Sequence, residues 1–92
     1  MPSYLVETYL ARARAAQRDR HERAAARAAE ELTHDQTRVW FERSIYVPED
    51  EICFFVFDAP SSRVAALVAE RAGLDPIRVV EASPSRNERN EQ

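Results

Sequence analysis

The sequence predicts an α+β fold in which a four-stranded antiparallel sheet carries two helices on one face. Segments rich in β-branched and aromatic residues alternate with segments rich in Ala, Arg and Glu. Their order is strand, helix, strand, strand, helix, strand. A short turn joins the two middle strands, and the chain's one glycine, Gly73, follows the second helical segment. This βαββαβ order is typical of ferredoxin-like domains.

The first strand and helix are predicted from an abrupt change in composition. Residues 3–9 are Ser-Tyr-Leu-Val-Glu-Thr-Tyr, which suits a strand. From Leu10 to about Leu32 strong helix formers predominate without Gly or Pro, which predicts a helix of about six turns. Charged residues of both signs alternate along it, which is typical of a solvated helix face. They include Arg14, Arg18, Asp19, Glu22, Arg23, Arg27 and Glu31.

The second and third strands are predicted as a hairpin. Residues 37–47 contain Val, Trp, Phe, Ile and Tyr, and residues 51–58 form an apolar run of strand length. Pro48, Glu49 and Asp50 lie between them and have turn chemistry.

The second helix and fourth strand complete the domain. Ser61 or Ser62 can cap the helix, and Gly73 marks its end. Residues 77–82 form the last short strand. We therefore expect one domain over residues 1–82, followed by a disordered polar tail over residues 83–92.

Composition limits the possible classes of function. The chain has 92 residues, 13 Arg, no Lys and 16 acidic residues, and its net charge of -3 argues against nucleic-acid binding. No apolar run reaches the ~18 residues of a membrane span. The first residues do not resemble a signal peptide, so we expect a cytoplasmic protein. The single cysteine, Cys53, excludes an internal disulfide. A domain this small often self-associates.

The sheet face without helices, the open face, is the predicted functional surface. The third strand is apolar on both sides, so both of its faces must be covered. We assign to the open face the mixed polar and aromatic set, although a register slip of one residue would exchange the two faces. This set comprises Leu5, Glu7, Tyr9, Trp40, Glu42, Ser44, Tyr46, Cys53, Phe55 and Phe57.

Two interpretations of this face remain open. It is a homodimer interface, or it also encloses a small-molecule site. In the second interpretation Glu7 or Glu42 serves as the acid–base catalyst of an isomerase-like or cyclase-like enzyme. The ligand-binding residues would be Trp40, Glu42, Ser44, Tyr46, Cys53 and Phe55.

A second candidate site lies near the end of the first helix. Glu30 and His34 are spaced i, i+4, which lets two helical side chains reach one metal ion, and Asp35 is adjacent. His21 is a further candidate, but it lies about 140° around the helix from His34 and cannot share its ion within one chain. Imidazole and carboxylates fit nickel or another divalent transition metal, with further ligands from a second subunit. The alternative is that His34 only complements the helix dipole.

Four segments, residues 4–7, 39–47, 53–61 and 71–74, resemble one known family. They read Tyr-Leu-Val-Glu, Val-Trp-Phe-Glu-Arg-Ser-Ile-Tyr-Val, Cys-Phe-Phe-Val-Phe-Asp-Ala-Pro-Ser and Arg-Ala-Gly-Leu. The family consists of small bacterial domains of unknown function and includes nickel-binding proteins. The resemblance implies a ferredoxin-like dimer and, for some members, divalent metal binding. Three hypotheses follow: a metal-binding homodimer, a small-molecule enzyme and a protein-interaction module.

Overall fold

The computed structural model describes residues 1–83 and confirms the predicted βαββαβ fold. The four strands form one antiparallel sheet in the order β2-β3-β1-β4. The strands are β1 (Ser3–Tyr9), β2 (Trp40–Val47), β3 (Ile52–Asp58) and β4 (Pro76–Ala82). The helices are α1 (Arg18–His34) and α2 (Ser62–Arg71). Apart from Ser83, the predicted polar tail lies outside the described residues.

The start of the first helix differs from the prediction. Residues Arg12–Gln17 form a 3-10 segment whose backbone leaves helical geometry at Arg14, and the α-helix begins only at Arg18. The cause is tertiary, because Leu10 is held against the β2–β3 hairpin. Its N–H donates to the carbonyl of Glu51 (2.7 Å), and its carbonyl accepts from the Tyr46 hydroxyl (2.8 Å). These contacts override the helix propensity of the arginine and alanine residues that follow.

The second helix begins and ends where the sequence predicts. The Ser61 side chain accepts a hydrogen bond from the backbone N–H of Val64 (3.2 Å), which is an N-cap. Gly73 follows the helix with a φ of 77°, a conformation that residues with a Cβ rarely adopt. The local signals at both ends of α2 are therefore sufficient to set its length.

The two faces of β3 are the reverse of the prediction. Its register places Phe55 opposite Val6 and Phe57 opposite Tyr4, and all four side chains are buried beneath the helices. Cys53 shares that face and is fully buried. The open face instead carries the alternate residues of β3, namely Ile52, Phe54 and Val56. Because side chains alternate, assigning one residue to the wrong face inverts the whole strand.

The strand β2 contains a bulge that the predicted alternation does not include. Phe41 lies opposite Phe57 and Arg43 lies opposite Val56, so Glu42 is the extra residue. The bulge changes the phase of the strand, and Ser44 and Tyr46 therefore face the helices rather than the open face. Ile45, which the predicted open-face set does not include, lies on the open face and is 42% exposed.

The core combines large side chains from the sheet with small ones from the helices. Phe55 and Phe57 pack beside Phe41, with ring centroids 6.2 and 5.3 Å from it. The buried side chains of α1 and α2 are mainly alanines, which lets both helices approach the aromatic layer closely. These helical residues are Ala25, Ala28, Ala29, Leu32, Ala65, Val68 and Ala69. Within residues 1–83 no helix has the length and apolar character needed to cross a bilayer.

Replacing Phe55 by Ala should lower the free energy of unfolding by about 3–5 kcal/mol, because it leaves a cavity in this core. Urea denaturation followed by circular dichroism measures the loss. Leu67→Ala is the control, since Leu67 lies on the exposed side of α2, and we expect it to cost less than about 1 kcal/mol. Equal losses in the two variants would contradict the observed face of β3.

Candidate functional site

The open face is largely apolar. Leu5, Ile45, Phe54, Val56 and Val80 form its centre, aligned across all four strands. Val56 is only 6% exposed although it lies on this face, and in the register it stands between Leu5 and Arg43. The face is completed toward its rim by Ser3, Glu7, Tyr9, Trp40, Arg43, Val47, Ile52, Asp58, Arg78 and Ala82.

The two predicted acid–base residues do not share a site on this face. Glu7 lies on β1, and its carboxylate accepts a hydrogen bond from Nε of Arg78 on β4 (2.8 Å). Glu42 lies in the bulge of β2, 3.9 Å from Nε of Arg43. The strand β3 separates their strands by about 10 Å across the sheet. The register also offsets them along the strands, since Glu7 lies opposite Phe54 and Glu42 lies near Val56. Glu7 and Glu42 are therefore two separate candidates, the first paired with Arg78 and the second exposed in the bulge.

The predicted ligand-binding residues are likewise divided between two faces. Trp40 lies at the exposed edge of the sheet, and Glu42 is exposed beside it. Ser44, Tyr46, Cys53 and Phe55 lie beneath the helices instead. Two differences from the prediction cause this separation. The faces of β3 are reversed, and the bulge changes the phase of β2. The six residues thus do not form the single open-face pocket that the sequence predicts.

A polar network beneath α1, the Ser44 network, consists of Arg18, Glu22 and Ser44. The Ser44 hydroxyl, in a residue that is 7% exposed, accepts from Nε of Arg18 (2.8 Å) and donates to the Glu22 carboxylate. Arg18 also donates to the carbonyl of Ser44 (3.2 Å). The charge pattern of the sequence predicts a solvated helix face for Arg18 and Glu22. Their i, i+4 spacing was the available signal, but only the tertiary structure shows Ser44 between them.

The Cys53 thiol lies close to the Ser44 network. Burial raises the pKa of this thiol; the Arg18 charge opposes the shift and the Glu22 charge adds to it. The backbone carbonyl of Cys53 accepts from the Thr8 hydroxyl (2.8 Å). A fully buried, protonated thiol has little reactivity, so Cys53 acts here as a small core residue.

A hollow of about 420 Å³ opens beside the 3-10 segment. This turn hollow is lined by Tyr9, Leu10, Ala11, Arg14, Gln17 and His21. The His21 ring packs edge-on against Phe55, with centroids 6.3 Å apart. Burial lowers the pKa of His21, and the charge of Arg20 lowers it further. The imidazole is therefore mainly neutral at pH 7.

A second concavity, the edge groove, lies between α1 and the edge strand β2 and has a volume of about 340 Å³. It brings the predicted metal ligands Glu30 and His34 together with Trp40, which is 65% exposed. The remainder of its lining is Ala26, Ala29, Thr33, Val39 and Phe41.

The other two predicted metal ligands do not join this groove. His21 lies thirteen residues before His34 on α1, about 20 Å along the helix axis. Asp35 follows the helix and does not line the groove. Among residues 1–83, no three His, Cys, Asp or Glu side chains are grouped as metal ligands. One chain therefore offers Glu30 and His34 as a pair.

Comparison with known proteins supports the fold. No family model matches the chain. No curated protein matches it either. A solved structure does match, that of SCO4226 from Streptomyces coelicolor A3(2), with a TM-score of 0.60. The match covers 91% of this chain and 99% of that one at 19% sequence identity. The similarity is one of fold. It supports the small ferredoxin-like domain and leaves nickel binding a prediction.

The burial of His21 predicts a pH dependence of stability. Its folded-state pKa lies below the unfolded value of 6.5, so the unfolded chain binds the proton first as the pH falls. Stability is complete above pH 6.5 and decreases below it, until the folded-state pKa is reached. The loss is at most about 1.4 kcal/mol per pH unit.

Urea denaturation at pH 7.5 and at pH 5.5 measures this linkage. His21→Gln should reduce the difference between the two pH values, whereas the non-titrating exposed variant Leu67→Ala should leave it unchanged. If the wild type and His21→Gln lost equal free energy on acidification, the assignment of the linkage to His21 would be wrong.

Proposed function

We propose that the protein works as a homodimer in which the open faces of two sheets pack against each other. The observation that carries this proposal is the apolar centre formed by Leu5, Ile45, Phe54, Val56 and Val80. Both helices lie on the opposite side of the sheet, so no element within residues 1–83 covers this centre. A sheet that is apolar on both faces is normally packed on both.

The size of the face supports a protein partner. Four strands of about seven residues span roughly 19 by 24 Å, a projected area on the order of 450 Å². This area includes the polar rim, and the apolar centre occupies part of it. A domain of this length also buries a smaller share of its surface than larger domains do, so covering the face would add to a limited core.

The charges of the face favour a second copy as that partner. Arg43 and Arg78 balance Glu7 and Asp58, whereas the whole chain has a net charge of -3. Two copies of a balanced face can approach without net repulsion. A partner with a strongly charged surface would gain no electrostatic attraction there. A self-complementary face is also what a twofold interface requires.

Phe54→Glu should convert the dimer to a monomer, because it buries two unpaired carboxylates at the centre of the interface. Sedimentation velocity should show the wild type at twice the chain mass of 10.6 kDa. The dissociation constant of the variant should be raised at least about 100-fold.

Leu67→Glu, on the exposed side of α2, is the matched control and should remain dimeric. Circular dichroism shows whether each variant is folded. A wild type that is monomeric at about 100 μM, a concentration at which a typical specific dimer is assembled, would overturn the proposal. So would a folded Phe54→Glu variant that is still a dimer.

We also propose that the edge groove binds a divalent transition metal ion through Glu30 and His34. These two side chains line the same groove one helical turn apart. An imidazole and a carboxylate suit nickel, zinc or copper, and water or groups from the second copy would complete the coordination. One chain would supply two protein ligands here, whereas a closed structural site has four.

Calorimetric titration of untagged protein with nickel, zinc and copper chlorides tests the metal site. His34→Ala and Glu30→Ala should each weaken binding at least about tenfold, since each removes one of two ligands. His21→Gln should bind as the wild type does, because His21 lies outside the groove. No heat of binding with any of the three metals would reject the site, as would unchanged affinity in His34→Ala.

A further inference from the structure

We infer that the turn hollow binds a small organic carboxylate, with Arg14 holding the carboxylate and His21 contacting the neighbouring part of the ligand. This site lies on a different part of the molecule from the proposed dimer interface centre and from the edge groove. It requires neither of them. Four features of the hollow and its surroundings support such a ligand.

The first observation concerns the arginines of the 3-10 segment and the start of α1. Arg12 donates to the carbonyl of Pro48 (3.2 Å), and Arg18 is engaged with Ser44. Arg14 lies between them, faces the hollow and has no carboxylate partner within residues 1–83. A planar guanidinium with uncommitted donors is suited to bidentate contact with a carboxylate.

The second observation concerns the imidazole of His21. It lines the hollow while its ring packs on Phe55, which restricts its orientation. In the described part of the chain, neither of its ring nitrogens forms a hydrogen bond. A neutral imidazole offers one donor and one acceptor, so both are available to a ligand.

The third observation concerns size and polarity. The volume of about 420 Å³ lies within the range of small-molecule sites. Leu10 and Ala11 provide an apolar wall beside the ring of Tyr9, and Gln17 adds one amide. An apolar wall facing a guanidinium favours a molecule with one carboxylate and a hydrophobic body over an inorganic anion.

The fourth observation is the local charge. Residues 10–23 contain five arginines and two acidic residues, although the chain as a whole has a net charge of -3. Of the two acidic residues, Glu22 is engaged with Ser44. The Glu51 carboxylate also lies beside the hollow, where it accepts from the Arg12 N–H (2.9 Å) and the Tyr9 hydroxyl (3.4 Å). The positive charge available to a ligand is therefore that of Arg14 itself, which lines the hollow.

Nuclear magnetic resonance titration of ¹⁵N-labelled protein with benzoate tests the site, and benzamide serves as the neutral probe of the same shape. We expect saturable shifts in the amides of residues 9–21, with a dissociation constant on the order of 1 mM for so small a probe. Benzamide should bind at least about tenfold more weakly, because it lacks the charge that pairs with Arg14.

Arg14→Gln should weaken benzoate binding at least about tenfold, and His21→Gln should weaken it by a smaller factor. Arg27→Gln, an exposed position farther along α1, is the matched control and should bind normally. Repeating the titration with the Phe54→Glu variant separates this site from dimerisation. No saturable shift, equal binding of benzamide, or unchanged binding in Arg14→Gln would each overturn the inference. Shifts confined to the edge groove would do the same.

Discussion

The contact between the β3 aromatic side chains and the alanine-lined helices determines the rest of the structure. Phe55 and Phe57 have no exposed surface, and the small buried residues of α1 and α2 allow close approach to them. This packing decides which side of the sheet is covered. It also places α1 over β2, where Ser44 meets Arg18 and Glu22.

The same alternation that builds the core creates the surface opposite to it. Because Phe55 and Phe57 point toward the helices, Phe54 and Val56 must point away from them. A strand with apolar side chains on both sides is unfavourably exposed to water on any side that is left uncovered. The core and the proposed interface are thus two consequences of one strand sequence, and a homodimer would cover the second in the way that the helices cover the first.

The polar side chains around α1 differ in whether the fold uses them. Ser44, Arg18 and Glu22 satisfy one another beneath the helix, as buried polar groups must. Arg14 and His21 line a hollow without comparable partners within residues 1–83. Polar groups that pair with one another within the fold stabilise it, whereas groups that line a hollow without such a partner are the ones suited to a ligand. This difference separates the core network from the proposed carboxylate site.

The order and type of the elements, and the caps of α2 at Ser61 and Gly73, follow from the sequence alone, because composition and capping act over a few residues. The proximity of Glu30 and His34 also follows from the sequence, since helical spacing is local. Tertiary structure decided the faces of β3, because both are apolar and periodicity cannot rank them. It also decided the phase of β2, the 3-10 segment and the two concavities, because these depend on contacts between residues far apart in the chain.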